Sequence, residues 1–440
     1  MAHKASFVIG CLGNQSLVFF GRRLRKHSLR HYRPKACAAE LPAAYIDLLP
    51  EVAMRHFATP FSTTRPPEVQ GPSTGPKKIM TSFASRAALG LLLVIGAFSS
   101  AADEEEHWED LPHHLGQNLS IPQRQLNVGG YLNVHYADLE GQKWKFGLRD
   151  ISLFISKTLP NRWQLFSEVE LGDALEFSHS GVSSSDSEID LERLYADYRA
   201  TPTVNFRFGK YLTPVGRWNL IHADPLVWTA DRPLTTAAPF ARHATGAMIY
   251  GDMNLGNDSL EYSLYADDSD LLDPLQKRER AFEDNSSGVS PRNAFKQAVG
   301  GRLVYHFLDE AAAVGVSYLR MEMYDLQERK ELFGVDAVWT VDRMEFSGEW
   351  IYRNSLGSSE KDEHGGFIQA VLPLPKHLYL IGRHEKYRAA VLPPPTATID
   401  SVGITYRPHD AVSVKLEHRD GRHNQVMAPS GWLGSLAILF

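Results

Sequence analysis

From Leu126 to the end of the chain, apolar and polar residues alternate with a period of two in run after run, and helical spacing is sustained nowhere. Strand-like runs begin near Leu126, Lys143, Arg162, Asp190, Thr203, Ala244, Ser259, Lys296, Ala312, Leu332, Met344, Gly366, Leu378, Ile399, Val412 and Trp432, sixteen in all. Phe333, Val335, Ala337, Trp339 and Val341 oppose Gly334, Asp336 and Thr340, and Val412, Val414 and Leu416 oppose Ser413, Lys415 and Glu417. A strand written this way has one apolar and one polar face. The chain is therefore all-β. Lys143 to Lys157 changes parity midway, from Trp144, Phe146 and Leu148 to Ile151, Leu153 and Ile155, which places a β-bulge near Arg149 and Asp150.

Short and long connectors alternate between these runs. Thr158 to Asn161, Ala200 to Pro202 and Val341 to Arg343 read as tight turns, whereas Asp268 to Phe295 and Tyr352 to His364 are long and polar. One rim of short turns and one of long loops suits a transmembrane antiparallel β-barrel of about 16 strands, apolar outside and polar inside. A soluble sandwich turns its apolar faces inward, and alternation alone does not separate the two.

Compartment signals favour the membrane. Both cysteines, Cys11 and Cys37, lie early, so residues 103–440 hold no thiolate nucleophile or metal ligand. Residues 1–102 carry 13 basic and 4 acidic residues, against 33 basic and 48 acidic beyond, a balance of −15. Ala87 to Phe98 is a short apolar run behind Arg86, followed by Ser99-Ser100-Ala101-Ala102 and then Asp103-Glu104-Glu105-Glu106. That order describes a secretory signal, too short to span a bilayer as a helix. The sequence thus divides into a non-native upstream extension (1–79, translation starting at Met80), a signal peptide (80–102), an acidic tail (103–125) and a barrel (126–440). His113-His114 in the tail lack the further ligands a metal site needs. The last residues, Trp432, Gly434, Leu436, Ile438 and Phe440, share one parity. A strand ending on a C-terminal aromatic resembles the assembly signal of bacterial outer-membrane barrels.

Between Leu194 and Arg242 two strand-like runs lead into about thirty residues without a period, holding Pro225, Pro233 and Pro239. A structureless stretch of that length is usually functional, and a loop folded into the lumen of a wide barrel accommodates it. Three segments resemble the phosphate-selective porin (porin O and P type) family of Gram-negative outer membranes: Phe146 to Leu153, Trp163 to Leu171, and Leu194 to Gly216 with Phe208-Gly209-Lys210-Tyr211-Leu212-Thr213-Pro214-Val215-Gly216. The resemblance implies a homotrimer with an inward third loop and a basic constriction, passing small hydrophilic solutes or anions, phosphate among them, within outer-membrane lipid. The acidic balance departs from the family's anion-selective members.

Ion choice in a pore comes from charges at its narrowest point, where low-dielectric walls strengthen each one. Parity nominates Arg193, Arg199 and Arg207 for the lumen with Asp197 between them, and the loop adds Arg217, His222, Asp224, Asp231, Arg232 and Arg242. Such a mixed set sets up a transverse field. The plainer alternative is that Arg and Asp on adjacent strands neutralise each other. Trp218, Trp228 and Phe240 read as packing the loop on the wall. Asp267, Asp268, Asp270 and Asp273 lack EF-hand spacing. No metal or cofactor is expected, nor nucleic acid as a partner, and no nucleophile elbow, HExxH helix or phosphate-cradling loop marks an enzyme. Two rival readings stay open, a barrel hydrolase with Ser and His together on its outer wall and a soluble secreted β-rich binding protein.

Overall fold

The computed structural model describes Gly116 and residues 118–440, except 179–180, 185–186, 222, 238–239, 274–293, 324–328, 357–361 and 390–394. The upstream extension, the export segment, most of the acidic tail and His222 fall outside the described residues.

Sixteen long strands pair each with its sequence neighbour, always antiparallel. They are β1 (Leu126–Leu139), β2 (Lys145–Leu159), β3 (Trp163–Ser178), β4 (Glu188–Arg199), β5 (Asn205–Leu212), β6 (His243–Leu255), β7 (Asp258–Asp267) and β8 (Phe295–Phe307). The second half comprises β9 (Ala312–Met323), β10 (Arg329–Val341), β11 (Met344–Leu356), β12 (Glu363–Pro373), β13 (Leu378–Arg388), β14 (Thr396–His409), β15 (Val412–Arg422) and β16 (Gly431–Leu439). The last strand returns to the first, with Gly431 opposite Leu139 and Leu439 opposite Tyr131. That pairing closes the sheet into a barrel and leaves no edge. Two three-residue strands, Leu119–Ile121 and Gly181–Ser183, add short pairings to β1 and β3.

Each strand starts within three residues of its expected position. The largest differences are at β10, β12 and β14, which begin three residues early because polar residues above the apolar belt still pair. The loop expected from Tyr352 is correspondingly shorter, since β11 runs on to Leu356. The bulge lies where the parity change puts it. Leu148 pairs with Leu175 and Asp150 with Gly172, so Arg149 is skipped.

Burial decides which face is which. Phe146, Val316, Phe333, Trp350, Ile404 and Leu416 are exposed on the outside, while Glu168, Arg302, Asp336, Glu349, Glu385 and Lys415 are buried inside. A soluble sandwich would show the opposite. Apolar outside and polar inside is the arrangement lipid imposes, and closure satisfies every ladder hydrogen bond without water.

The chain end completes the seam. The Phe440 N–H donates to the Gly130 carbonyl at 2.8 Å, and the Gly130 N–H donates to the Phe440 carbonyl at 2.9 Å. A Cβ at Gly130 would stand 2.8 Å from the Phe440 ring, so glycine leaves room for the aromatic side chain.

Candidate pore constriction

The segment after β5 does not cap the barrel; it crosses to the far wall. β5 is the fifth stave, and residues 216–234 bind to the ninth, eleventh and thirteenth to fifteenth staves and to the first, as their partners show. Gly216 makes the first turn with φ +63°, and a Cβ there would lie 2.6 Å from a Glu349 carboxylate oxygen. Only glycine permits both the left-handed backbone and that approach. The Arg217 and Trp218 N–H groups then donate to Glu349 Oε1 at 2.7 and 2.6 Å, and the Gly216 N–H to Ser317 Oγ at 3.2 Å.

Farther along, the wall's charges match the polarity of the loop backbone. Carboxylates take its N–H groups: Ala230 donates to Glu417 Oε2 at 3.1 Å and Leu234 to Glu385 Oε2 at 2.9 Å. Cations and a hydroxyl take its carbonyls. Lys415 Nζ donates to Asp224 O at 2.7 Å and Thr229 O at 3.1 Å, Arg407 to Val227 O at 3.1 Å, Arg383 to Asp231 O at 3.0 Å, and Thr405 to Trp228 O at 2.7 Å. An irregular backbone inside a barrel has no ladder of its own, so each group needs such a partner. Apolar packing adds to this. Trp218 meets Phe367 edge-on at 6.0 Å between ring centres, Ala230 packs between Leu139 and Leu433, and Leu234 joins Ile351, Tyr387 and Ile399. Trp228 lies under the Arg407 guanidinium at 4.2 Å and 4.8 Å from the Tyr379 ring. Trp218 and Trp228 thus pack the loop on the wall.

The nominated charges are placed as follows. Asp197 and Arg207 face inward near the short-turn rim and bind each other through two hydrogen bonds, at 2.8 and 2.9 Å. The Arg207 guanidinium lies 3.8 Å from the centre of the Tyr195 ring and 5.0 Å from that of Tyr250. Arg193 is bonded to Glu168, which also accepts from Ser152 Oγ at 2.7 Å. Arg199 is exposed and donates to Gln164 at 3.1 Å. Asp231 is bonded to Arg419, and Arg232 turns back on the loop, donating to Trp218 O at 3.4 Å and Ile221 O at 3.1 Å. The Asp224 carboxylate accepts from Asn133. Burial pushes the Asp224 carboxyl up, but Lys415, Arg232, Arg149 and His135 together hold it below its ordinary value. The Arg242 carbonyl accepts from the Thr213 N–H at 2.8 Å and fastens the returning end of the loop. Arg217 is half-buried, and its side chain has no hydrogen bond or ion pair among the described residues. Of the acidic cluster after β7, Asp267 accepts from Thr245 and Ser269, and Asp273 pairs with Lys210 at 3.2 Å.

Strand parity pointed inward at Lys415 and Glu417 but not to the loop they hold, and Glu385, Arg383 and Arg419 carried no signal of their own. On the outer wall His384 Nδ1 and Asp400 lie 2.5 Å apart. Their outward neighbours in register are Ile368 and Asp420, with Lys386 and Val402 next along the strands, and no serine among them.

No family model matches the sequence. An uncharacterised protein of Aquifex aeolicus is 24% identical over 339 residues, covering 67% of this chain and 75% of its own. Among solved structures, the fold is similar to OmpF of Salmonella typhi in complex with daunomycin, with a TM-score of 0.50 and 10% identity over 73% of this chain and 99% of that one. The outer-membrane channel DcaP of Acinetobacter baumannii gives a TM-score of 0.46 and 12% identity over 74% and 100%. An anion-selective porin of Comamonas acidovorans gives 0.46 and 11% over 71% and 98%. This chain has the fold of an outer-membrane β-barrel, sixteen antiparallel strands closed on themselves.

For this barrel the Asp197–Arg207 contact carries a stability prediction. Removing one partner of a buried pair costs about 3–5 kcal/mol, because the other charge is left without compensation. Arg207→Ala should therefore lower the unfolding temperature read by heat-modifiable gel mobility, and Arg207→Gln with Asp197→Asn should recover much of the loss. Equal losses in the single and double variants would show that ring stacking, not charge pairing, holds the site.

Proposed function

We propose that the barrel is a porin giving passive diffusion of small hydrophilic solutes or ions, with residues 213–242 forming its constriction. The observation that carries this reading is the docking of that segment on the wall opposite β5, inside a closed barrel. The resemblance of Phe146 to Leu153, Trp163 to Leu171 and Leu194 to Gly216 to the porin O and P type suggests anions, phosphate among them, as solutes, and a homotrimer as the assembly.

Charge at the constriction would come from what the wall leaves unspent. Arg193 and Arg207 are tied to carboxylates, and Arg383, Arg407, Lys415 and Arg419 to the loop. Among the described residues of the loop, Arg217 carries a guanidinium not committed to a partner. At a contact of 4 Å and an effective dielectric of 20, such a charge acts on an ion with about 4 kcal/mol. The acidic residues around the lumen temper this into a transverse field rather than a uniform anion trap.

Arg217→Ala should shift the reversal potential in a salt gradient toward cations, with a modest change in conductance. Arg232→Ala should change both, since its guanidinium also clamps the loop carbonyls of Trp218 and Ile221. A reversal potential unmoved by Arg217→Ala, in a barrel that still folds and conducts, would remove the loop from the selectivity filter.

A further inference from the structure

Over much of the barrel the outward face stays apolar for most of a strand. On β8 its outward positions are Val299, Gly301, Leu303, Tyr305 and Phe307, and on β11 Phe346, Gly348, Trp350 and Tyr352. On β13 to β15 the apolar belt stops early. Past Gly382, Val402 and Leu416, the outward positions toward the long-loop rim become polar and charged. They are His384, Lys386 and Arg388 on β13, Asp400 on β14, and His418, Asp420 and Arg422 on β15. Charge on a lipid-facing wall is most costly at the midplane and least at the interface, so this sector belongs at headgroup level.

On β9 and β10 outward charge is balanced laterally, where Arg320 stands opposite Glu331. Here Asp400 is bonded to both Arg422 and His384, and Asp420 lies 3.7 Å from Arg422. Two cations remain. Register sets Lys386 between Gly366 and Thr398, and Arg388 between His364 and Thr396, so no carboxylate flanks either. Neither has a hydrogen bond or ion pair among the described residues. The two side chains leave one face of one strand two residues apart, about 7 Å. Their long stems let both heads reach a single anionic group. Beside Lys386, Gly366 offers no side chain, and the exposed Trp350 ring walls the far side of that notch, 3.1 Å from where a Gly366 Cβ would stand.

We propose that Lys386 and Arg388 bind the anionic, phosphorylated headgroup of a membrane lipid on the outer wall of the barrel, with Gly366 and Trp350 forming the notch beside it. The charge surplus selects an anion, and the position on the lipid-facing wall selects a lipid over a soluble ligand. A second copy of the chain is the competing occupant, and cross-linking tests it. The proposal is independent of what the lumen conducts.

The test uses the folded barrel in a neutral detergent, titrated with phosphatidic acid, phosphatidylcholine or inorganic phosphate while the unfolding temperature is followed by heat-modifiable mobility. Phosphatidic acid should stabilise the parent, and the two other additions should not. Each cation near an anionic lipid surface contributes roughly a fivefold factor, so Lys386→Ala with Arg388→Ala should weaken the phosphatidic acid response about thirtyfold. Lys386→Arg with Arg388→Lys should retain it. Both positions are exposed on a paired strand, and mobility without lipid verifies folding of each variant. Equal stabilisation of parent and double alanine variant would overturn the proposal, as would inorganic phosphate acting as well as the lipid. So would cross-linking of two copies in the membrane through Lys386→Cys, which would make the sector a subunit contact.

Discussion

Glu349→Ala combined with Glu385→Ala should raise single-channel conductance several-fold. Glu349 accepts two loop N–H groups through one oxygen, and Glu385 accepts a third seventeen loop positions from the first. Hydrogen bonds to a charged group contribute about 1.5–3 kcal/mol each, and water in the lumen replaces part of what is lost. Removing both carboxylates takes several kcal/mol from the docked state, and about 5.5 kcal/mol turns a 99:1 population into 1:99. Either single substitution should act less, because Glu417, Lys415 and Arg407 still grip residues 224–230. Losing Glu385 also takes a carboxylate from Arg383, 3.4 Å away, though Glu417 remains at 3.7 Å. The freed guanidinium should move selectivity toward anions as conductance rises. Parent-like conductance in a barrel that keeps its heat-modifiable mobility would show that apolar packing around Trp218 and Leu234 docks the loop unaided.

The difference between what the sequence reveals and what it hides follows from how far each contact reaches. Lipid outside and water inside act on every residue of every strand, so the sixteen strands and the Arg149 bulge can be read from local alternation. The Asp197–Arg207 pair is nearly as local. A tight turn at Ala200 to Val204 sets those two residues directly opposite. Arg193 meeting Glu168 is less accessible, because the register slips between Glu168 and Val169 and leaves Glu192 as the extra residue. The loop's anchors are least accessible of all. Glu349 lies 132 positions from Arg217, and Glu417 187 from Ala230. Parity says such residues face inward, and nothing in an alternating pattern says which loop atom each meets. For the same reason the unpaired state of Lys386 and Arg388 emerges only once the register places Gly366, Thr398, His364 and Thr396 beside them.

Deletion of Phe440 should reduce folded, membrane-inserted barrel by about an order of magnitude or more. The closing seam ends on Phe440, whose N–H and carbonyl both bond Gly130, while the preceding Leu439 carbonyl accepts from Gly116 at 3.1 Å. Deletion leaves the Gly130 N–H and carbonyl without partners at the end of the seam, and unsatisfied backbone groups facing lipid cost several kcal/mol each. The ring is lost as well, along with its contact over Gly130. Phe440→Ala separates these effects, since it keeps the two backbone hydrogen bonds and removes only the aromatic side chain. A milder loss for Phe440→Ala than for the deletion would place the effect in the seam. Equal loss would place it in recognition of the aromatic end during assembly, and Phe440→Asp should then be as damaging as the deletion. Unchanged yield and heat-modifiable mobility in all three variants would mean that β16 closes on β1 through Gly431 to Leu439 alone.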